Sequence, residues 1–346
     1  MRAAIFHEFG EAIAIEQVAD PACPPGGAVI QVRANGLCLS DWHGWVGHDP
    51  AVRLPHVPGH ELAGVVVEVD AACQGVRVGD RVTVPFVVGC GGCPACHAGQ
   101  QQICHDAEQP GFTTWGAFAD YVAIGRADLN LVPVPEGLDF AVAASLGCRF
   151  TTAFRATLER GRLAAGEWLA VHGCGGVGLS AIMIARAAGA GVVAVDIDPQ
   201  ALELARGLGA AVAIDPRAAR DVPAAIKDAT GGGAHVSIDA IGRPVTCENS
   251  VRCLRPQGRH VQAGLLAGDD ATPPLPMDVV VGRELEILGT HGMAAHRFAP
   301  LLTMITDGRL APEKLIRRSI SLGDVPGALM GMDEGHPPGM TVMEHP

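Results

Sequence analysis

Hydrophobic and polar positions follow two rhythms along the chain, and the change falls near residue 150. Before it, short β-like runs such as Val29-Ile30-Gln31-Val32-Arg33 and Ala63-Gly64-Val65-Val66-Val67-Glu68-Val69 are separated by Pro and Gly clusters, which predicts a mostly antiparallel, barrel-like domain. After it, apolar runs alternate with helical stretches. Strands are predicted at 168–172, 192–195, 211–214, 235–238, 259–263 and 285–288, six in a doubly wound parallel sheet. Asp198 caps a helix with Pro199 at its first position, and Gly209 stops it. Past Gly289, with helices predicted at 297–306 and 322–332, the chain is expected to return to the first domain. The expected division is 1–149 with 289–346, and 150–288.

Between the first two strands of the second half lies Gly173-Cys174-Gly175-Gly176-Val177-Gly178, followed by a helix over 179–186. The spacing G-x-G-x-x-G alone is weak in a chain with 45 glycines. Its context is specific: the second strand ends at Asp196, 18 residues past Gly178, where a dinucleotide fold places the acid that holds the adenosine ribose. Gly173 permits the tight turn, Gly175 lets a pyrophosphate approach the backbone, and Gly178 lets the helix pack closely. The amides of Gly176 and Val177 at the helix N-terminus face the phosphates.

Composition narrows the classes. At 346 residues two domains are expected, and 48% hydrophobic residues suffice for two cores. A net charge of -12 argues against a nucleic-acid or anionic-membrane partner. The first eight residues meet a charge before any apolar segment forms, so no secretory signal is read, and a cytoplasmic location is expected. Eleven cysteines in a reducing compartment point to metal ligands or free thiols.

The cysteines form two constellations. Cys90, Cys93, Cys96 and Cys104 have C-x2-C-x2-C-x7-C spacing, which lets one loop close a tetrahedron of thiolates around a structural zinc; iron-sulfur spacings resemble it. The second set is dispersed: Cys38, His60 and Cys148. Singly, each reads as a core residue or a satisfied histidine. Together, two thiolates and an imidazole leave a fourth zinc position open, as in a catalytic site.

These motifs together resemble the zinc-dependent alcohol dehydrogenases of the medium-chain dehydrogenase/reductase superfamily, over essentially the whole chain. The resemblance implies a GroES-like catalytic domain, a Rossmann domain for NAD, and an active site between them. It implies that Cys38, His60 and Cys148 bind catalytic zinc, Glu61 is the neighbouring acid, and Asp41 orients His60. Ser40 would contact the substrate hydroxyl, His43 would pass its proton to solvent, and Thr152, Val177 and Leu265 would line the coenzyme. Zinc would act as a Lewis acid on the alcohol while the nicotinamide accepts hydride. Three departures stand out: Asp70 replaces a small residue at a turn, Leu39 replaces a basic residue or His, and Gly339-Met340-Thr341-Val342 lacks the Arg or Lys often found there. The last two remove charge from the coenzyme phosphates, leaving Arg149 and Arg283 as candidates to supply it.

Phe86 and the tryptophans 42, 45 and 115 suggest an apolar pocket for a medium-sized or aromatic primary alcohol, with core packing as the alternative. A homodimer or homotetramer is expected from pairing of exposed strand edges. Competing readings are a polyol or amino-alcohol dehydrogenase, a zinc-free quinone or enoyl reductase, and a zinc-stabilised nucleotide-binding sensor without activity.

Overall fold

The computed structural model describes residues 1–266, 268–333, 335 and 337–345. Strands β1 (Arg2–Ile5) and β2 (Ala14–Gln17) pair as an antiparallel ribbon. Strands β3 (Ala28–Leu37), β4 (Glu61–Val69), β5 (Arg81–Thr83), β6 (Tyr121–Ile124) and β7 (Val132–Pro133) build most of a second, antiparallel sheet. Its side chains Ile30, Leu62 and Val66 are buried in a common cluster with Phe118 of the segment before β6.

The second half alternates strand and helix. Strands β8 (Trp168–His172), β9 (Gly191–Val195), β10 (Val212–Ile214), β11 (Ala234–Asp239), β12 (Leu254–Gln262) and β13 (Glu286–Gly289) form a six-stranded parallel sheet in the order β10-β9-β8-β11-β12-β13. The order reverses beside β8, which is where a doubly wound sheet opens a crevice for a ligand. Strands β8 and β9 are buried on both faces, so they read as unbroken apolar runs rather than alternating ones. Strands β14 (Ile316–Ile320) and β15 (Met340–Glu344) then join the sheet of β3 to β7, with β15 antiparallel to β3.

Between the sheets runs a helical stretch from Phe140 to Arg160, capped by the Asp139 side chain on the Ala141 amide. Two segments of it, Leu146–Phe150 and Arg155–Arg160, are wound as π-helix. Such turns add a residue to the helical repeat and cluster at functional sites. The first holds Cys148 and Arg149.

Most predicted elements are present with small shifts. β12 begins at Leu254 rather than 259 because buried Leu254 pairs with Ala234 before the register shifts. The helix expected over 322–332 divides into a 3-10 turn, Leu322–Asp324, and the helix Val325–Met330. Asp70 is not in the left-handed region, and its carboxylate accepts from the Ala72 amide at 3.0 Å. Among the described residues no helix is long and apolar enough to cross a membrane.

Candidate active site and metal centres

The loop after β5 brings Cys90, Cys93, Cys96 and Cys104 together, with all four sulfurs within 4.8 Å of one another. Cys90 and Cys96 sulfurs are 3.9 Å apart, and Cys93 and Cys104 sulfurs 3.7 Å. A tetrahedron with Zn–S bonds of about 2.3 Å has edges of about 3.8 Å, so the spacing fits one ion. It leaves no room for the inorganic core of an iron-sulfur cluster. Amide donors from Gly92 and Cys93 point at the Cys90 sulfur at 3.4 and 3.3 Å. Backbone donors hold the Cys93 thiol down at about 6, while burial pushes Cys104 up to about 12. Backbone donors thus favour negative charge on Cys90 and Cys93, while burial disfavours it on Cys96 and Cys104, and a cation among the four would favour the thiolate of each.

The second centre is assembled from three distant segments. Cys38 precedes the helix Leu39–Trp45, His60 immediately precedes β4, and Cys148 lies on the π-helical turn. Their ligand atoms, with a Glu61 oxygen, all lie within 4.8 Å. Asp41 organises them: one carboxylate oxygen accepts from the Cys38 amide at 3.0 Å, the other from the Gly59 amide at 3.0 Å and His60 Nδ1 at 2.7 Å. Asp41 therefore fixes the His60 tautomer and leaves Nε2, which is buried and has no hydrogen-bond partner among the described residues, facing the sulfurs. An unpaired buried nitrogen beside two thiols is what a metal would satisfy. The Cys148 hydrogen bond holds the Cys38 thiol well below its ordinary range; the same bond and burial push Cys148 well above it. Burial would depress His60, yet the Asp41 charge and hydrogen bond raise it.

Glu61 is not a free fourth ligand. Its carboxylate accepts from the Arg149 amide at 2.9 Å and Nε at 2.9 and 3.1 Å, and from Nη2 at 2.5 Å. Both side chains are buried. The position opposite the three ligands opens instead into a cavity of about 350 Å³.

That cavity collects the remaining expected residues. Ser40, His43, Thr152, Val177 and Leu265 all line it, as does Phe86. The Ser40 hydroxyl is 3.7 Å from the Cys38 sulfur. His43 Nδ1 is 2.9 Å from Nδ1 of His48, a cavity residue that the sequence reading missed. Burial first, and His48 second, lower the His43 pKa, so the ring is a neutral base at pH 7. The tryptophans are elsewhere: Trp45 is in the core, Trp42 stacks edge-on to His43 and His48, and the Trp115 indole donates to the Pro55 carbonyl. Phe112 and His291 stand in the wall where tryptophan was expected.

The glycine turn has the shape a pyrophosphate needs. Gly173 has φ +98°, a Cβ on Gly178 would strike the Gly173 carbonyl, and a Cβ on Gly175 would meet nothing within 4 Å, so the space above it is open. The helix Gly176–Ala187 starts there with its first amides unpaired by any side-chain cap. Asp196 closes the turn from below, accepting from the Cys174 amide at 2.6 Å and from the Asp198 amide at 2.8 Å. Arg217 was not foreseen near this acid. It arrives from the loop after β10, donates to the Ile197 carbonyl, and is held by Asp215.

Comparison with known proteins agrees with this geometry. Residues 24–136 match the family described as "Alcohol dehydrogenase GroES-like domain", and residues 176–307 match "Zinc-binding dehydrogenase". An alcohol dehydrogenase of Geobacillus stearothermophilus is 32% identical over 84% of each chain, and one of Rhizobium meliloti (strain 1021) 35% identical over 79% of each. The chain belongs to the zinc-dependent alcohol dehydrogenases of the medium-chain superfamily. Among solved structures, the dehydrogenase is similar to alcohol dehydrogenase TADH from Thermus sp. ATN1, with TM-score 0.91 and 29% identity over 99% of each chain. It is also similar to an NAD-dependent alcohol dehydrogenase, with TM-score 0.90 and 28% identity over 100% of each. The dehydrogenase is an oxidoreductase with a four-cysteine set and a Cys38, His60, Glu61 and Cys148 set compatible with two zinc ions, acting on a small-molecule alcohol or its carbonyl product.

Proposed function

We propose that the enzyme oxidises primary alcohols of medium size, aliphatic or aromatic, with NAD, and reduces the corresponding aldehydes. The observation that carries this reading is the shared cavity, in which Cys38, His60 and Cys148 meet Thr152, Val177 and Leu265. Cys38, His60 and Cys148 would hold a zinc ion, which when bound would supply Lewis acidity to the alcohol oxygen, and NAD would supply the hydride acceptor. The protein's own groups do the rest. Ser40 receives the alcohol proton, and His43 takes it on toward His48 and solvent. Asp41 holds His60 in the ligating tautomer. Thr152, Val177 and Leu265 position the nicotinamide ring, and the glycine turn and Asp196 hold the phosphates and adenosine ribose.

Phe86 and Phe112 favour an apolar substituent, and a cavity of about 350 Å³ sits near the lower end of ordinary ligand pockets. Among the described residues that line it, Asp49 is the one carboxylate and Gln109 the one amide side chain. The division into a catalytic part, 1–149 with 289–346, and a coenzyme part, 150–288, fits the two sheets. A homodimer is supported by the outer edge of β13, where Ile287 is exposed, and by the helix Met277–Arg283, which buries none of its residues and exposes Met277 and Val281. A second copy pairing along this edge would cover them.

A panel of primary, secondary, polyol and amino alcohols, followed at the nicotinamide absorbance, tests the reading. Highest catalytic efficiency on benzyl-type or medium-chain primary alcohols is expected; a preference for sorbitol or threonine would overturn the substrate class.

A further inference from the structure

A dinucleotide brings two phosphate charges into the cleft, and among the described residues lining the cavity only Arg149 carries a permanent positive charge. Its side chain is 9% exposed. The backbone amide, Nε and Nη2 are spent on Glu61, whereas Nη1 donates to no acceptor among the described residues. The same side chain lies on the coenzyme turn: a Cβ at Gly176 would stand 2.5 Å from Arg149 Cδ and 3.3 Å from Nη1. Gly176 is the first residue of the helix that follows the glycine turn, and no side chain caps that helix. A cation at a helix N-terminus opposes the helix dipole. Its placement there, nine-tenths buried and with a spare donor, makes sense once an anion joins it.

We propose that Arg149 is the cation that binds the coenzyme pyrophosphate, with Glu61 as the positioning residue that presents it. Two adjacent pairs in the sequence, His60-Glu61 and Cys148-Arg149, each place a metal ligand beside one half of this ion pair. The pair thus joins the zinc-ligand segments to the coenzyme turn. The fork geometry of guanidinium suits this double duty, with one edge on a carboxylate and the other on phosphate. The inference rests on the NAD reading above.

Binding measurements test it without turnover. Zinc-loaded wild type, Arg149→Gln, Arg149→Lys and the charge-neutral double variant Glu61→Gln/Arg149→Gln are titrated with ADP-ribose and with adenosine at several salt concentrations, zinc content being measured in parallel. ADP-ribose affinity is expected to fall about 10- to 100-fold in Arg149→Gln and in the double variant, with a flattened salt dependence, while adenosine changes less than about threefold. Arg149→Lys should recover part of the loss. The double variant removes both buried charges together, so it reports even where the single Gln variant does not fold. Wild-type affinity and salt slope for ADP-ribose in the double variant would overturn the proposal, and so would equal weakening of adenosine. Absence of ADP-ribose binding by the wild type would instead strike the coenzyme reading itself.

Discussion

Asp41 ties the Cys38 and His60 segments of the proposed metal site together, because three donors converge on its buried carboxylate. Asp41→Ala is expected to lower zinc affinity at that centre by about 10- to 100-fold while the four-cysteine zinc stays bound. Metal analysis after dialysis against a graded chelator checks it; equal loss from both sites would contradict it. His43 gives a second test. Its lowered pKa means that protonation, and loss of the base, sets in only below the ordinary value near 6.5. Alcohol oxidation by His43→Ala should therefore slow about 10- to 100-fold at neutral pH, with partial rescue by imidazole, and an unchanged pH profile would make the ring a bystander. At this scale the sequence was most legible where partners are close in the chain or chemically distinctive, as with Cys38-Asp41 and the thiolate set. It was least legible where a charge found its partner far away. The Arg149–Glu61 pair spans 88 residues and Arg217 reaches Ile197 across 20, and no local pattern marks either contact.

Elements carry two further expectations. The four-cysteine loop has little regular structure beyond the single turn Pro94–His97 and the 3-10 turn Gln101–Ile103, so its shape depends on the sulfurs. Cys93→Ser should yield aggregated or strongly destabilised protein, since structural zinc binding contributes directly to folding free energy. Beneath the parallel sheet, His172 and His260 are buried and linked through Cys253, Ser237 and Ser250. Burial lowers each histidine to about 4, against the Asp239 charge. The unfolded chain takes up these protons near pH 6.5 and the folded chain only near 4, so stability is present above about 6.5 and is lost as pH falls through that window, by about 1.4 kcal/mol per pH unit per histidine. Thermal unfolding between pH 7 and 4.5 should show this slope, and His260→Gln should flatten it. Strand periodicity located the sheet that holds these groups. It could not foretell the π-helical turn at Cys148, because a one-residue insertion in a helix leaves no apolar signature.

For the whole molecule, coenzyme choice joins the two ends of the sheet crevice. On the proposed assignment of Asp196 to the adenosine ribose, Asp196 and its neighbour Asp198 disfavour a 2'-phosphate, so NAD should exceed NADP by about 100-fold or more in catalytic efficiency, or about 3 kcal/mol. Arg217 adds what the local sequence lacked, a cation beside this acid, but Asp215 neutralises it. Asp196→Gly alone should mainly weaken NAD, whereas Asp196→Gly/Asp215→Asn should raise NADP use above that of the single variant. The fold class and the six strands followed from strand–helix alternation, while pocket composition did not, because Trp42, Trp45 and Trp115 lie outside the lining of the cavity that their neighbours form. The central claim, an open zinc site acting with a dinucleotide, is tested most directly by zinc stoichiometry and NAD reduction in wild type and Cys148→Ser measured together. The account predicts two zinc ions per chain in the wild type, one in Cys148→Ser, and a folded variant that still binds NAD but has lost nearly all alcohol oxidation. Iron in place of zinc, a single zinc in the wild type, or undiminished activity in Cys148→Ser would contradict it.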